Sequence, residues 1–183
     1  MKLESLNKGY TYHIYNRGIN GENIFLNDDN KSYFLKLLDK YLTGVCSVFA
    51  YCLMNNHFHL LLTINSDDEV ATQALSNFFN AYAKAFNKAT GRTGSLFEKH
   101  FKRIRIEDEN YLRQLVIYIH LNPKHHFNTE FEDFKFSSYA SFLSGKETKL
   151  NKQEVIELFG DLDNFEVAHK QKLHLLTAQH TFE

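Results

Sequence analysis

The apolar positions change period along this chain, and the changes mark out its elements. Residues 9–15 (GYTYHIY) carry the Tyr, Thr and Ile of a strand, and 16–27 follow as a loop with two glycines and several asparagines. Over 28–43 the spacing lengthens: Phe34, Leu37, Leu38 and Tyr41 recur at three- and four-residue steps, and Gly44 closes the helix. Residues 46–54 and 57–64 return to strand composition, with Asn55-Asn56 as the turn between them. A second helix spans 69–90 on Leu75, Phe78, Phe79, Tyr82 and Phe86, with Gly91 as its stop. A fourth strand is expected over 96–106. A third helix is expected over 108–122, opened by Asp108 and Glu109 at the positive end of its dipole and ended by Pro123. Helical stretches near 136–143 and 152–159 complete the chain without legible chemistry. The order βαββαβ is the ferredoxin-like pattern of an α+β fold: an antiparallel sheet with two helices on one face and the other face free for a site. An added helix and a C-terminal helical tail follow it. The expected organisation is one domain over 1–127 and a helical extension over 128–183.

Composition narrows the class. The 183 residues are 43% hydrophobic and 23% charged, an ordinary globular balance. A net charge of −1 argues against a protein that coats polyanions, but leaves room for a local basic patch. Cys46 and Cys52, if both in one strand, stand roughly 20 Å apart, beyond the reach of about 7 Å that a disulfide allows. With no C-x-x-C, the chain reads as reduced, intracellular and cytoplasmic. The first ten residues hold no apolar run, so no signal peptide is expected. Residues 41–66 lack Asp, Glu, Lys and Arg, but Gly44, Asn55, Asn56, His57 and His59 interrupt them. They read as two buried strands rather than a membrane span.

Three features carry candidate chemistry. In a strand, His57, His59, Leu61 and Thr63 share one face, while Phe58, Leu60, Leu62 and Ile64 form a wholly apolar core face. Two imidazoles about 7 Å apart at Cα suit a metal. Ten histidines in the chain make such a pair easy to reach by chance, however, and hydrated strand-end histidines explain it as well. On the third helix Tyr118 and Asn122 lie one turn apart, with Tyr111 two turns earlier. Tyr118 offers a phenol able to attack phosphorus, and Asn122 an oxygen suited to a hard cation. Tyrosine at helical spacing with Leu115 and Ile119 is also ordinary core packing. Finally, Arg92, Lys99, Lys102, Arg103 and Arg105 interleave with Phe97, Phe101 and Ile104, as a phosphate backbone with stacked bases would require. A protected strand edge carries the same residues.

Together these segments resemble a known family. AYCLMNNHFHLLL is similar to the histidine–hydrophobic–histidine strand of the HUH nucleases. YIHLNP is similar to the catalytic helix end of the REP-associated tyrosine transposases, the single-tyrosine relatives of the enzymes that mobilise the smallest insertion sequences. YHIYNRG, GRTGSLFEKHFK and FKFSSYASFLSG fit the same pattern, so the resemblance spans roughly residues 9 to 145. It implies a ferredoxin-like fold and a homodimer acting on single-stranded DNA hairpins. It implies Mg²⁺ or Mn²⁺ held by His57, His59 and Asn122, with Tyr118 as nucleophile forming a 5′-phosphotyrosine. Arg17, Arg92, Lys99, Lys102, Arg103 and Arg105 are the residues expected on DNA. Phe58 takes no part in the chemistry. Tyr111 is the weaker nucleophile candidate, because its plus-four residue is Leu115. Some relatives carry Gln where this chain has the shorter Asn122, so closure of the site by DNA or a partner subunit is expected. Two other classes compete. One is a non-catalytic, domesticated hairpin-DNA or RNA-binding module, although the aromatic run of RNA-recognition domains is missing. The other is a hydrolase in which His57 and His59 activate water, with His13 and His100 as the side chains able to reach the same sheet face.

Overall fold

The computed structural model describes residues 4–127 and 129–179. The strands are β1 (Thr11–Arg17), β2 (Cys46–Leu53), β3 (His57–Ile64) and β4 (Lys102–Ile106). They form one sheet in the order β2-β3-β1-β4, and every neighbouring pair is antiparallel. Helices α1 (Asp28–Leu42) and α2 (Asp68–Thr90) cover one face. This is the expected ferredoxin-like α+β arrangement. Asn27 caps α1 by accepting a bond from the Asn30 amide at 3.0 Å, and Gly91 ends α2 at φ 68°, a conformation that costs glycine little. Between these helices and the sheet, Phe34 packs against Phe25, Phe58, Phe78 and Tyr82. Phe58, Leu60, Leu62 and Ile64 all enter this core, as strand parity requires.

The other face is not free, contrary to expectation. Helix α3 (Glu109–Phe127) lies across it, supported by α4 (Tyr139–Leu143), α5 (Lys152–Glu157) and α6 (Leu162–Gln179). Ala50, Cys52 and Leu61 of the sheet meet Leu115, Val116 and Ile119 of α3, and behind them Phe131, Tyr139, Phe142 and Phe165. A bulge between Val48 and Ala50 changes which residues of β2 enter this second core. Before it, Cys46 and Val48 point to the α1/α2 side; after it, Ala50 and Cys52 point to the α3 side. The two cysteines therefore lie in separate cores, both free.

Two further expectations are corrected, and one helix is added to the expected tail. Helix α3 continues through Pro123 to Phe127. Proline removes one backbone donor, but its fixed φ is helical, and Leu121 and Asn122 before it are held in the interior. Strand β4 begins at Lys102 rather than 96, because His100 at φ 61° interrupts extended backbone; Phe97 makes only an isolated bridge to Gly18. Helix α6 went unforeseen. Its inward positions include His169, a fully buried polar residue that breaks the apolar rhythm.

Candidate functional site

The site forms where the polar end of β3 meets the second half of α3. The turn before β3 is pinned: the Asn55 carbonyl accepts from the amides of Ile24 and Phe25, and the Asn56 carbonyl from the Gly18 amide. Buried Lys31 donates to Asn55 Oδ1 at 3.0 Å. His57 and His59 leave this anchored turn on the α3 side of the sheet, opposite Arg17 and Tyr15 of β1. Their rings stand 5.2 Å apart, nearly perpendicular. They border an open cleft of about 500 Å³ with Tyr15, Arg17, Lys102, Tyr118 and His126.

Tyr118 and Asn122 both reach the histidine pair, from successive turns of α3. Asn122 is fully buried, and its Oδ1 lies 3.0 Å from His57 Nε2. The Tyr118 ring meets the His59 ring edge-on at 5.6 Å, and Tyr118 remains 41% exposed. A phenol presented to the cleft can be reached by a ligand; one packed in the interior could not. Tyr111 is equally exposed but lies outside the cleft, with its backbone amide donating to Asp108 Oδ1 at 2.7 Å.

The electrostatics keep both imidazoles neutral. Burial lowers the pKa of His57, and the nearby His126 adds to this; the bond to Asn122 opposes it. Burial, reinforced by His13, His57 and His126, holds His59 well below the usual value. Neutral imidazole is the form that ligates metal. His57 also shows an unmet demand. Its Nδ1 lies 2.7 Å from Asn56 Oδ1 and its Nε2 3.0 Å from Asn122 Oδ1. Both partners are amide oxygens, which only accept, whereas a neutral ring carries a single N–H. If Nδ1–H donates to Asn56, the Nε2 lone pair faces the lone pairs of Asn122. A cation between them removes that conflict. Two ligands at right angles around an ion about 2.1 Å away lie about 3.0 Å apart, the separation seen here. The Asn122 Nδ2 atom is buried without a partner, so turning the amide over would instead give His57 a donor in a metal-free state. His57 and Asn122 thus fit a divalent ion, with the His59 ring standing beside that of His57. Among the described residues no cluster of three or more His, Cys, Asp or Glu forms a full protein cage.

The basic residues divide. Lys102 and Arg17 lie at the cleft, Arg17 donating to Glu98 at 2.6 Å. Alternation along β4 sends Arg103 and Arg105 to the opposite face, where their partner positions on β1 are Ile14 and Tyr12. There Arg103 lies 4.3 Å from the Phe101 ring centroid, and Arg105 3.6 Å from that of Tyr10. Arg92 is paired with Glu22 at 2.7 Å, and Lys99 borders a separate groove along α2 together with His100. The six cations therefore do not form one stripe. Sequence reasoning did not give His126 a role, since its place at the cleft depends on α3 continuing past Pro123. Of the two further histidines considered, His13 reaches the site and His100 does not.

No protein-family model matches this chain, and no curated protein matches it in sequence. Among solved structures, one of a REP-associated tyrosine transposase bound to a REP hairpin is similar at 20% sequence identity. The match has a TM-score of 0.64 and covers 81% of this chain and 88% of that one. Over most of its length, the chain has the fold of that transposase.

Proposed function

We propose that this protein cleaves and rejoins single-stranded DNA at a hairpin, using Tyr118 as nucleophile and a divalent ion held by His57, His59 and Asn122. The observation that carries this reading is the meeting of an exposed phenol with two neutral imidazoles in one cleft, with a buried amide against His57. Lys102 and Arg17 at its rim would hold the phosphate backbone. The solved transposase of the same fold is bound to a REP hairpin, which favours a DNA hairpin as the partner here.

When bound, Mg²⁺ or Mn²⁺ would polarise the scissile phosphate and stabilise its developing charge. The chain's own groups supply the rest. The Tyr118 oxygen forms a bond to phosphorus as the bond from phosphorus to the 3′-oxygen breaks. The phenolic proton passes to water in the open cleft, and the departing 3′-oxygen takes one from water. The product is a 5′-phosphotyrosine and a free 3′-OH. Because the phosphotyrosine conserves the energy of the broken bond, a second 3′-OH can attack it and restore the phenol without a nucleotide cofactor. Asn56 fixes His57, and burial keeps both imidazoles available as neutral ligands.

The test is a labelled single-stranded DNA hairpin with Mn²⁺, resolved on a denaturing gel. Wild type should give a protein-linked band, and Tyr118→Phe should give none while still retaining the hairpin on a native gel. A hairpin that wild type retains without ever becoming linked would identify a binding module instead. Persistence of the linked band in Tyr118→Phe would remove Tyr118 from the chemistry.

A further inference from the structure

The two site imidazoles are anchored in the same way. His57 is tied through Nδ1 to Asn56, and His59 through Nδ1 to the Nε2 of His13, at 2.7 and 2.8 Å. In each ring this leaves Nε2 as the nitrogen offered to the site. The anchors differ in one respect. Asn56 presents an oxygen, which can only accept, so it dictates Nδ1–H on His57. His13 can either accept or donate, so the single proton between two neutral imidazoles has two places to sit. On His59 Nδ1 it leaves a lone pair at Nε2. On His13 Nε2 it leaves His59 with Nε2–H, which cannot ligate.

We propose that His13 is a positioning residue for the site: its Nε2 accepts the Nδ1–H of His59 and keeps the His59 Nε2 lone pair toward the cleft. This rests on the metal-dependent reading above. Geometry supports a dedicated contact. His13 stands on β1 diagonally across from His59, whose direct partner is Tyr15. The His13 ring stacks on that of Tyr15 at 4.7 Å and on that of His59 at 5.0 Å, which fixes its plane. Both His13 and His59 are buried, so water does not compete for the shared proton. Partners of this kind orient metal-bound histidines, and removing one typically weakens metal binding about 10- to 100-fold.

Long-range ¹H–¹⁵N spectra of histidine-labelled, metal-free protein at pH 7.5 would read the tautomers directly. The expected result is His59 protonated at Nδ1 and bare at Nε2. Protonation at Nε2 would overturn the proposal. A second readout is Mn²⁺ affinity by calorimetry. His13→Leu, which offers no acceptor, should weaken binding about 10- to 100-fold. His13→Gln, whose amide oxygen can accept from Nδ1–H, should stay close to wild type. Equal losses in the two variants would make His13 a packing residue only. Failure of wild type to bind Mn²⁺ would instead sink the metal-dependent reading, and the tautomer spectrum alone would then decide the role of His13.

Discussion

Acid should unfold this protein early, because the fold holds histidines below their free pKa. Burial lowers His13 and His169 to about 4 from 6.5, and His57, His59 and His120 move in the same direction. His169 donates from Nδ1 to the Phe165 carbonyl at 2.7 Å and meets His120 Nδ1 at 2.9 Å, an arrangement suited to neutral rings. The sign follows from proton binding. Below pH 6.5 the unfolded chain takes up protons that the folded chain refuses until about 4. Stability is therefore full above 6.5 and lost as pH falls through that window. Each group contributes a slope of about 1.4 kcal/mol per pH unit, so His13 and His169 together remove about 4 kcal/mol by pH 5. Against a usual total of about 5–15 kcal/mol, that is a large share. Urea denaturation followed by far-ultraviolet circular dichroism at pH 7.5, 6.0 and 5.0, with chelator present, measures it. His169→Gln should reduce the slope by close to one proton. An unchanged urea midpoint between pH 7.5 and 5.0 would refute the reasoning.

Lys102→Ala should weaken hairpin binding and reduce its salt dependence by about one ion, whereas Arg105→Ala, on the far face against Tyr10, should leave both unchanged; equal effects in a salt titration would contradict the division of the basic strand. Gly18→Ala places a Cβ 1.9 Å from the Glu22 carbonyl oxygen and should cost about 1–3 kcal/mol in thermal or urea unfolding, since the backbone must move and the Asn56 anchor with it. A set of two imidazoles and an amide favours Mn²⁺ over Mg²⁺, so linked product should form at least as fast in Mn²⁺ at equal concentration; faster formation in Mg²⁺ would count against that ligand set.

The βαββαβ order was legible because Phe34, Phe78 and Tyr82 at helical spacing, and Phe58, Leu60 and Leu62 at strand spacing, each have one face to bury. The parity that put His57 and His59 on the face away from that core holds in the structure, and so does the approach of Tyr118 and Asn122. Other features were hidden for local reasons. Residues 96–106 alternate like a strand, but His100 turns the backbone by tertiary context. Pro123 carries a stop signal that the packing around it overrides. The His13–His59 contact depends on the register between β1 and β3, which no single-strand pattern encodes. In the C-terminal layer α4 and α5 form where helical stretches were expected, but α6 was hidden because its inward face includes His169, which meets His120 rather than hydrocarbon.

With both of its faces covered, β2 is a party wall between two rooms. Cys46, Val48 and Leu53 furnish one core and Phe49, Ala50 and Cys52 the other, so neither room can be dismantled while its neighbour keeps the shared wall intact. The segment carrying α3 to α6 therefore cannot detach from Ala50 and Cys52 without loosening the strand on which Cys46 and Val48 hold the α1/α2 layer. The chain should lose both layers in a single cooperative step rather than shed its C-terminal part first.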